Sequence, residues 1–179
     1  CFLLLFGASM LFWGPLSDKY GRKPVLYAGA LLYVVSSLFL ALAQSIWPLL
    51  FWRAVQAVGS GGISAMALAI VKDVLRGRAM EKVITWIQTI TILAPMLAPV
   101  IGGALLAVTD WRGIFACLLF CGLLAGAGTL LLRETMSHPV QGNAFRTLGR
   151  LLVVLRHRGF RCLLLLFSAT SMPFMAYLA

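Results

Sequence analysis

The sequence predicts an all-α fold, a multi-pass bundle of transmembrane helices, and three observations carry that prediction. The 179 residues are 61% hydrophobic and 11% charged, whereas a soluble domain runs near ~45–50% apolar and ~25% charged. The mean hydropathy is +0.97, and apolar runs reach the roughly 20 residues with which a helix crosses a bilayer. The bases, finally, are sorted by loop. Lys19, Arg22 and Lys23 fall in the first, Lys72, Arg76, Arg78 and Lys82 in the third, and Arg133, Arg146, Arg150, Arg156, Arg158 and Arg161 around the fifth. The opposite loops hold Arg112 as their only base. Alternate loops share a side of the membrane, and the positive-inside rule makes the basic side cytoplasmic.

Six apolar segments fit, at about 1–16, 25–43, 46–70, 82–107, 113–132 and 161–179. The first is short and opens at Cys1, and the last reaches Ala179 without a polar exit, so the chain reads as a piece of a larger protein. No basic stretch precedes the first segment, and no cleavable signal peptide is expected.

The first segment leads into Gly14–Pro24, GPLSDKYGRKP. Gly14 and Pro15 are expected to end a helix, and Gly21 to permit a tight turn where a side chain would clash. Asp18 is suited to accept from turn amides, from Arg22 four residues on, or from a neighbouring helix start. Arg22 and Lys23 are suited to an acid or to anionic headgroups. So many conformationally special residues together read as a shaped clasp, with a plain topology anchor as the simpler alternative.

The 46–70 segment carries Arg53 in LLFWRAVQAVGSGG. A guanidinium in an apolar helix is costly unless it meets polar partners or water, and such residues usually serve a path or a pairing. Gln56 lies one turn below it, and Gly59, Gly61 and Gly62 give a smooth stretch for close packing. Snorkelling to the outer headgroups is the alternative. Beyond this helix, Asp73 in VKDVLRGR is either a partner for Arg22 across the cytoplasmic face or a solvated acid among bases.

The 82–107 segment contains TILAPMLAPVIGGALL. Pro95 and Pro99 remove two helix donors and favour a bend, and Gly102 and Gly103 would let a partner backbone come close. Trp86, Gln88 and Thr91 are candidate cavity-lining residues, with Thr85 and Thr89 adding polarity. Ahead of the next helix, Asp110, Trp111 and Arg112 look like an interface belt. Cys117 and Cys121 are four apart with no histidine or acid beside them, so they read as buried packing thiols. His138 and His157 read as surface residues. In 133–160, Arg146 and Arg150 oppose Leu148, Leu151, Leu152 and Leu155, as in a short helix on the cytoplasmic surface; an unstructured tether is the alternative.

The clasp GPLSDKYGRKP resembles the signature loop between the second and third helices of the major facilitator superfamily. Gly14, Leu16, Ser17, Asp18, Lys19, Gly21, Arg22 and Lys23 match it. The resemblance implies a cytoplasmic latch that contacts the other half of a transporter, with Asp18 and Arg22 in the central roles; Gly14, Gly21 and Lys23 belong to the same loop, and Asp73 joins the latch through its pairing with Arg22. Arg53, Gln56 and Gly59 resemble the fourth-helix signature of proton-coupled drug exporters, Arg-x-x-Gln-Gly-x-Gly, with Ala57 replacing its first glycine. That likeness implies a role for Arg53 in proton coupling. Pro99, Gly102 and Gly103 resemble the antiporter motif Gly-Pro-x-x-Gly-Gly, with Ala98 in place of the leading glycine. The form APxxAPxxGG, which includes Pro95, is similar to the Bcr/CflA branch of multidrug exporters, and Asp110–Arg112 before Phe115 resemble that branch too.

What the resemblance implies is a partial major facilitator fold: helices two to six and the start of seven, of about twelve in two pseudo-symmetric halves. The expected domains are a partial amino-terminal bundle at 1–132, a cytoplasmic inter-half loop at 133–160, and the start of a second bundle at 161–179. The implied activity is proton-coupled antiport of drugs or other small amphipathic compounds across the bacterial inner membrane by alternating access. A metabolite or sugar exporter on the same scaffold, a channel-like or receptor protein, and a non-functional fragment are the alternatives. The expected partners are the lipid bilayer, a drug-like substrate and protons, with no nucleic acid, and the full-length protein is expected to be a monomer. The proton gradient supplies the energy, without a cofactor or metal. No nucleotide loop, zinc cluster or nucleophile triad suggests an enzyme. Asp18, Asp73, Glu81, Asp110 and Glu134 all sit in or beside loops, so the proton-carrying acid is expected outside this chain. Arg53 holds its proton too tightly for that task.

Overall fold

The computed structural model describes residues 2–132 and Glu134, together with Gly159, Arg161, Cys162, Leu165 and Ala169. Two compact units divide the chain, Cys1–Gln141 and Gly142–Ala179. The expected amphipathic helix at Arg146–Leu155 lies outside the described residues. In the second unit the five described positions are helical.

The described residues of the first unit form five helices: α1 Phe2–Tyr20, α2 Arg22–Leu42, α3 Ile46–Val74, α4 Gly77–Val108 and α5 Trp111–Leu131. The last four are long and apolar enough to cross a membrane. α1 has 19 residues, which at about 1.5 Å each also approach the bilayer core thickness, but its last turn holds Asp18 and Lys19. The connections are short, so each helix returns beside its predecessor. The basic ends are those where α1 meets α2 and where α3 meets α4.

These boundaries correct the expected clasp. Gly14 and Pro15 do not end α1; the helix continues through both to Tyr20, and α2 starts at Arg22. Only Gly21 lies outside a helix in Gly14–Pro24. A proline costs a helix one donor, here the one that would meet the Leu11 carbonyl, and α1 absorbs that single loss without breaking. Nearer its end, the Ser17 hydroxyl donates to the Gly14 carbonyl at 2.7 Å, and the Gly21 amide donates to the Ser17 carbonyl at 2.9 Å. Gly21 has φ +98°, a conformation that side chains resist. The whole reversal therefore happens at one residue.

α3 is the central helix, packed against both α1 and α2, while α2 also packs on α5. Its glycines make this possible. A Cβ on Gly59 would stand 2.8 Å from the Gly29 carbonyl of α2, and one on Gly62 would stand 3.1 Å from the Trp13 ring of α1. Small residues of this kind let helices approach where lipid offers no hydrophobic drive. Trp13 fills the space over Gly62 and donates its indole N–H to the Val58 carbonyl at 2.9 Å. Trp13, Val25, Leu26 and Met66 form the buried apolar core around that contact.

α4 differs from its neighbours, for it contributes no buried residue among those described. Its helix runs unbroken through Pro95 and Pro99. No described atom of another helix comes within 4 Å of where a side chain on Gly102 or Gly103 would begin. Between α4 and α5 lies an apolar groove of about 670 Å³, lined by Leu97, Ile101 and Leu118 among others. Cys117 and Cys121 line it as well and are exposed free thiols. That overturns the expectation of buried thiols: both line the groove beside the sparsely packed α4, and Cys121 also borders a smaller pocket with Tyr33 of α2.

Candidate functional site

Two polar clusters interrupt the apolar bundle, each built on an arginine. The first gathers at the helix ends of the basic side. Arg22 opens α2, one residue after the turn at Gly21. Its Nη1 donates to Asp18 Oδ1 at 2.8 Å and reaches Ser17 Oγ. Its Nε donates to Asp73 Oδ2 at 2.9 Å. One guanidinium thus ties the last turn of α1 to the last turn of α3. The pairing with Asp18 follows from four-residue spacing across the turn; that with Asp73 spans 51 positions. The Arg22 side chain is 14% exposed, but its partners Asp18 and Asp73 are 42% and 28% exposed, so both ion pairs stay open to water and salt.

Sequence reasoning missed a third acid here. Glu134, just past α5, accepts from the backbone N–H of Arg22 at 2.9 Å and of Lys23 at 3.1 Å. The first amides of a helix have no partner within it and carry the positive end of its dipole. Gly21, the N-cap residue, makes no side-chain cap bond, and the distant carboxylate does that work. The signal in the sequence was topological: Glu134 follows a helix that returns to the basic side. Gly14 is partly buried, Lys23 lies in the first turn of α2, and Gly21 is buried.

The second cluster lies within the membrane-spanning part of α3. Arg53 Nη1 donates to Gln56 Oε1 at 3.0 Å. Gln56 is 1% exposed and donates through Nε2 to Ser37 Oγ of α2 at 2.8 Å. The Ser37 hydroxyl in turn donates to the Tyr33 carbonyl at 2.7 Å. Two aromatic rings complete the arrangement. The Arg53 guanidinium carbon lies 5.0 Å from the centroid of Phe115 of α5 and 5.6 Å from that of Phe2 of α1. The guanidinium is turned into the bundle and does not snorkel away from it.

Magnitudes show why this is tolerable. An arginine at the centre of a membrane helix costs about 2.5–3.5 kcal/mol on insertion scales. A desolvated cation–π contact returns about 2 kcal/mol, and a hydrogen bond to a charged group about 1.5–3 kcal/mol. Two rings and one amide therefore offset the burial of the charge, with no carboxylate bonded to it among the described residues.

The remaining predicted residues do not join either cluster. Trp86 is 61% exposed, and Gln88 is exposed on the same helix. The Thr91 hydroxyl turns back to the Ile87 carbonyl at 2.8 Å. Pro95, Pro99, Gly102 and Gly103 occupy the same sparsely packed α4. Arg112 reaches the Ala43 carbonyl at 3.4 Å, joining the start of α5 to the end of α2 at the other side of the bundle.

The Major Facilitator Superfamily profile matches residues 1–179. Among curated proteins, the multidrug resistance protein MdtL of Klebsiella pneumoniae (strain 342) is 36% identical over 135 residues, covering 74% of this chain and 34% of the relative. MdtL of Shewanella oneidensis is 39% identical over 130 residues, 72% of this chain and 33% of its own length. Multidrug resistance protein D of Escherichia coli (strain K12) is 30% identical over 167 residues, 92% of this chain and 42% of its own. The chain thus spans between 33% and 42% of these relatives.

Proposed function

The chain belongs to the major facilitator superfamily, a family of membrane carriers rather than enzymes, and from that premise we propose that the intact protein exports drugs in exchange for protons. Its family members of this type are multidrug-efflux proteins, and its relatives are bacterial. Apolar helical bundles satisfy their backbone internally, as spanning a membrane requires; the chain is a multi-pass segment of the bacterial inner membrane.

In this reading the two halves of the full-length protein rock about a central site, and a small amphipathic or cationic compound leaves as protons come in. The protein works as a monomer in the bilayer, without a cofactor. The basic ends of α1–α4 face the cytoplasm, and the Arg22 cluster braces the surface on which the second half closes. Gly14, Asp18, Gly21, Arg22, Lys23 and Asp73 form that latch. Residues 133–160 link the halves, and 161–179 begin the second. α4, with Pro95, Pro99, Gly102 and Gly103, offers its open face to helices beyond this chain, and Trp86, Gln88 and Thr91 line the transport cavity. The APxxAPxxGG pattern supports the Bcr/CflA branch.

The observation that carries the coupling is Arg53: a permanent cation inside the membrane whose partners among the described residues are neutral, Gln56 and two rings. Such a charge, lacking a bonded carboxylate, is free to stabilise an ionised acid nearby and release it when that acid is protonated. That acid belongs to the part of the protein outside this chain. The test is drug efflux from proteoliposomes containing the full-length protein. Efflux that rises when a proton gradient is imposed, and falls when the gradient is dissipated, is expected. Efflux indifferent to the gradient overturns the coupling.

A further inference from the structure

We propose that Phe115, with Phe2, is a positioning residue for Arg53: an aromatic clamp that fixes the guanidinium in the geometry the coupling uses. The proposal rests on the reading of Arg53 as the coupling cation and adds to it how the cation is held. The two rings come from different helices. Phe2 is in the first turn of α1 and Phe115 in the second turn of α5, and their centroids lie 5.6 and 5.0 Å from the Arg53 guanidinium carbon.

Phe115 is 7% exposed and itself packs edge-on to Trp111, centroids 6.0 Å apart at 85°. Phe2 stacks on Phe6 of its own helix at 6.4 Å. Each ring is therefore held from behind while it contacts the charge. The rings attract the cation through their quadrupole and offer it no lone-pair acceptor, and a guanidinium has five N–H donors. Gln56 uses one donor at Nη1. The clamp thus holds the charge in place and leaves other donors for a carboxylate that comes and goes. A fixed ion pair in the same place would hold the charge equally well but would consume those donors.

The clamp also explains why Phe115 need not be polar to matter. Leucine at 115 would keep most of the apolar volume and lose the ring quadrupole; tryptophan would keep the quadrupole in a larger ring. The experiment uses the full-length protein in proteoliposomes under an imposed proton gradient, with ethidium as the transported cation. Phe115→Leu is expected to lower gradient-driven efflux about tenfold, and Phe115→Trp to restore it to within about twofold. In an Arg53→Gln background, adding Phe115→Leu is expected to change nothing further, because a positioning residue acts only through what it positions. Should Phe115→Leu fail to give a monodisperse protein, Phe2→Leu, at a less buried ring, is read in the same two backgrounds.

Wild-type efflux in Phe115→Leu, an equal loss in both backgrounds, or a tryptophan variant no better than leucine overturns the clamp. If Arg53→Gln has lost coupling while Phe115→Leu has not, the clamp alone falls. If Arg53→Gln itself behaves as wild type, the coupling reading falls and the clamp with it.

Discussion

Arg22 and Arg53 carry the same charge in one bundle, and their surroundings are opposite. Arg22 sits at a helix end between two carboxylates. Arg53 sits within a membrane-spanning helix against an amide and two rings. At the rim, water and headgroups already solvate ions, so a carboxylate comes at little cost and its pairing is worth little, about 0–1 kcal/mol. Inside, an ion pair would satisfy the guanidinium but tie it down, and neutral partners hold it while leaving its charge available. The difference teaches that arginine here does two jobs, and that the partners decide which. One is a brace between helix ends; the other is a charge kept in reserve.

The comparison breaks first at Arg53. Arg53→Ala is expected to reduce proton-driven efflux more than about tenfold, the scale set by losing a charge interaction of 1.4 kcal/mol or more, with the helical fold retained in circular dichroism. Next comes Gln56→Leu. It removes the acceptor for a charged donor at a site 1% exposed, and a loss of about 1.5–3 kcal/mol in denaturant stability of the reconstituted protein is expected. A stability unchanged by that substitution would mean that Arg53 is satisfied elsewhere.

Asp73→Asn should cost less, about 1 kcal/mol at low salt, because Arg22 keeps Asp18. Raising the salt to about 1 M should shrink that increment and leave the Gln56 increment as it was, since screening acts on the accessible pair. Equal salt sensitivity of the two would erase the distinction between rim and interior. The smallest effect is expected from Glu134→Gln, about 0.5 kcal/mol from a weakened interaction with the α2 N-terminus, read as faster hydrogen exchange at the Arg22 and Lys23 amides.

Much of this bundle was legible in residue order. Runs of transmembrane length marked four of the described helices and a shorter run marked α1, and the alternation of basic loops oriented them. Gln56 lies three residues from Arg53 on one helix, so that pair followed from helical geometry; Arg22 lies four from Asp18 across the turn at Gly21, so closeness in sequence alone pointed to that pair. The helix ends were less legible. Gly14 and Pro15 read as breakers, yet α1 runs through both to Tyr20, because one lost donor does not end a helix that packs on its neighbours. Contacts between distant segments were legible only as types: Asp73 as a candidate partner, Glu134 as a loop acid. Phe2, Phe115 and Ser37 gave no signal at all, since phenylalanine and serine are ordinary in a membrane helix and only packing decides which ones face a charge. The exposed thiols of Cys117 and Cys121 were misread for the same reason: composition says that cysteine is usually buried, and the sparse packing of α4 decides otherwise.

The central claim, that Arg53 couples while Arg22 braces, is tested most directly by one paired measurement. In proteoliposomes, gradient-driven drug efflux and gradient-free drug exchange are measured for Arg53→Ala and Asp73→Asn of the full-length protein. The account predicts that Arg53→Ala loses driven efflux while retaining exchange, and that Asp73→Asn alters both in the same proportion. A variant of Arg53 that keeps driven efflux, or that loses both in equal measure, would contradict it.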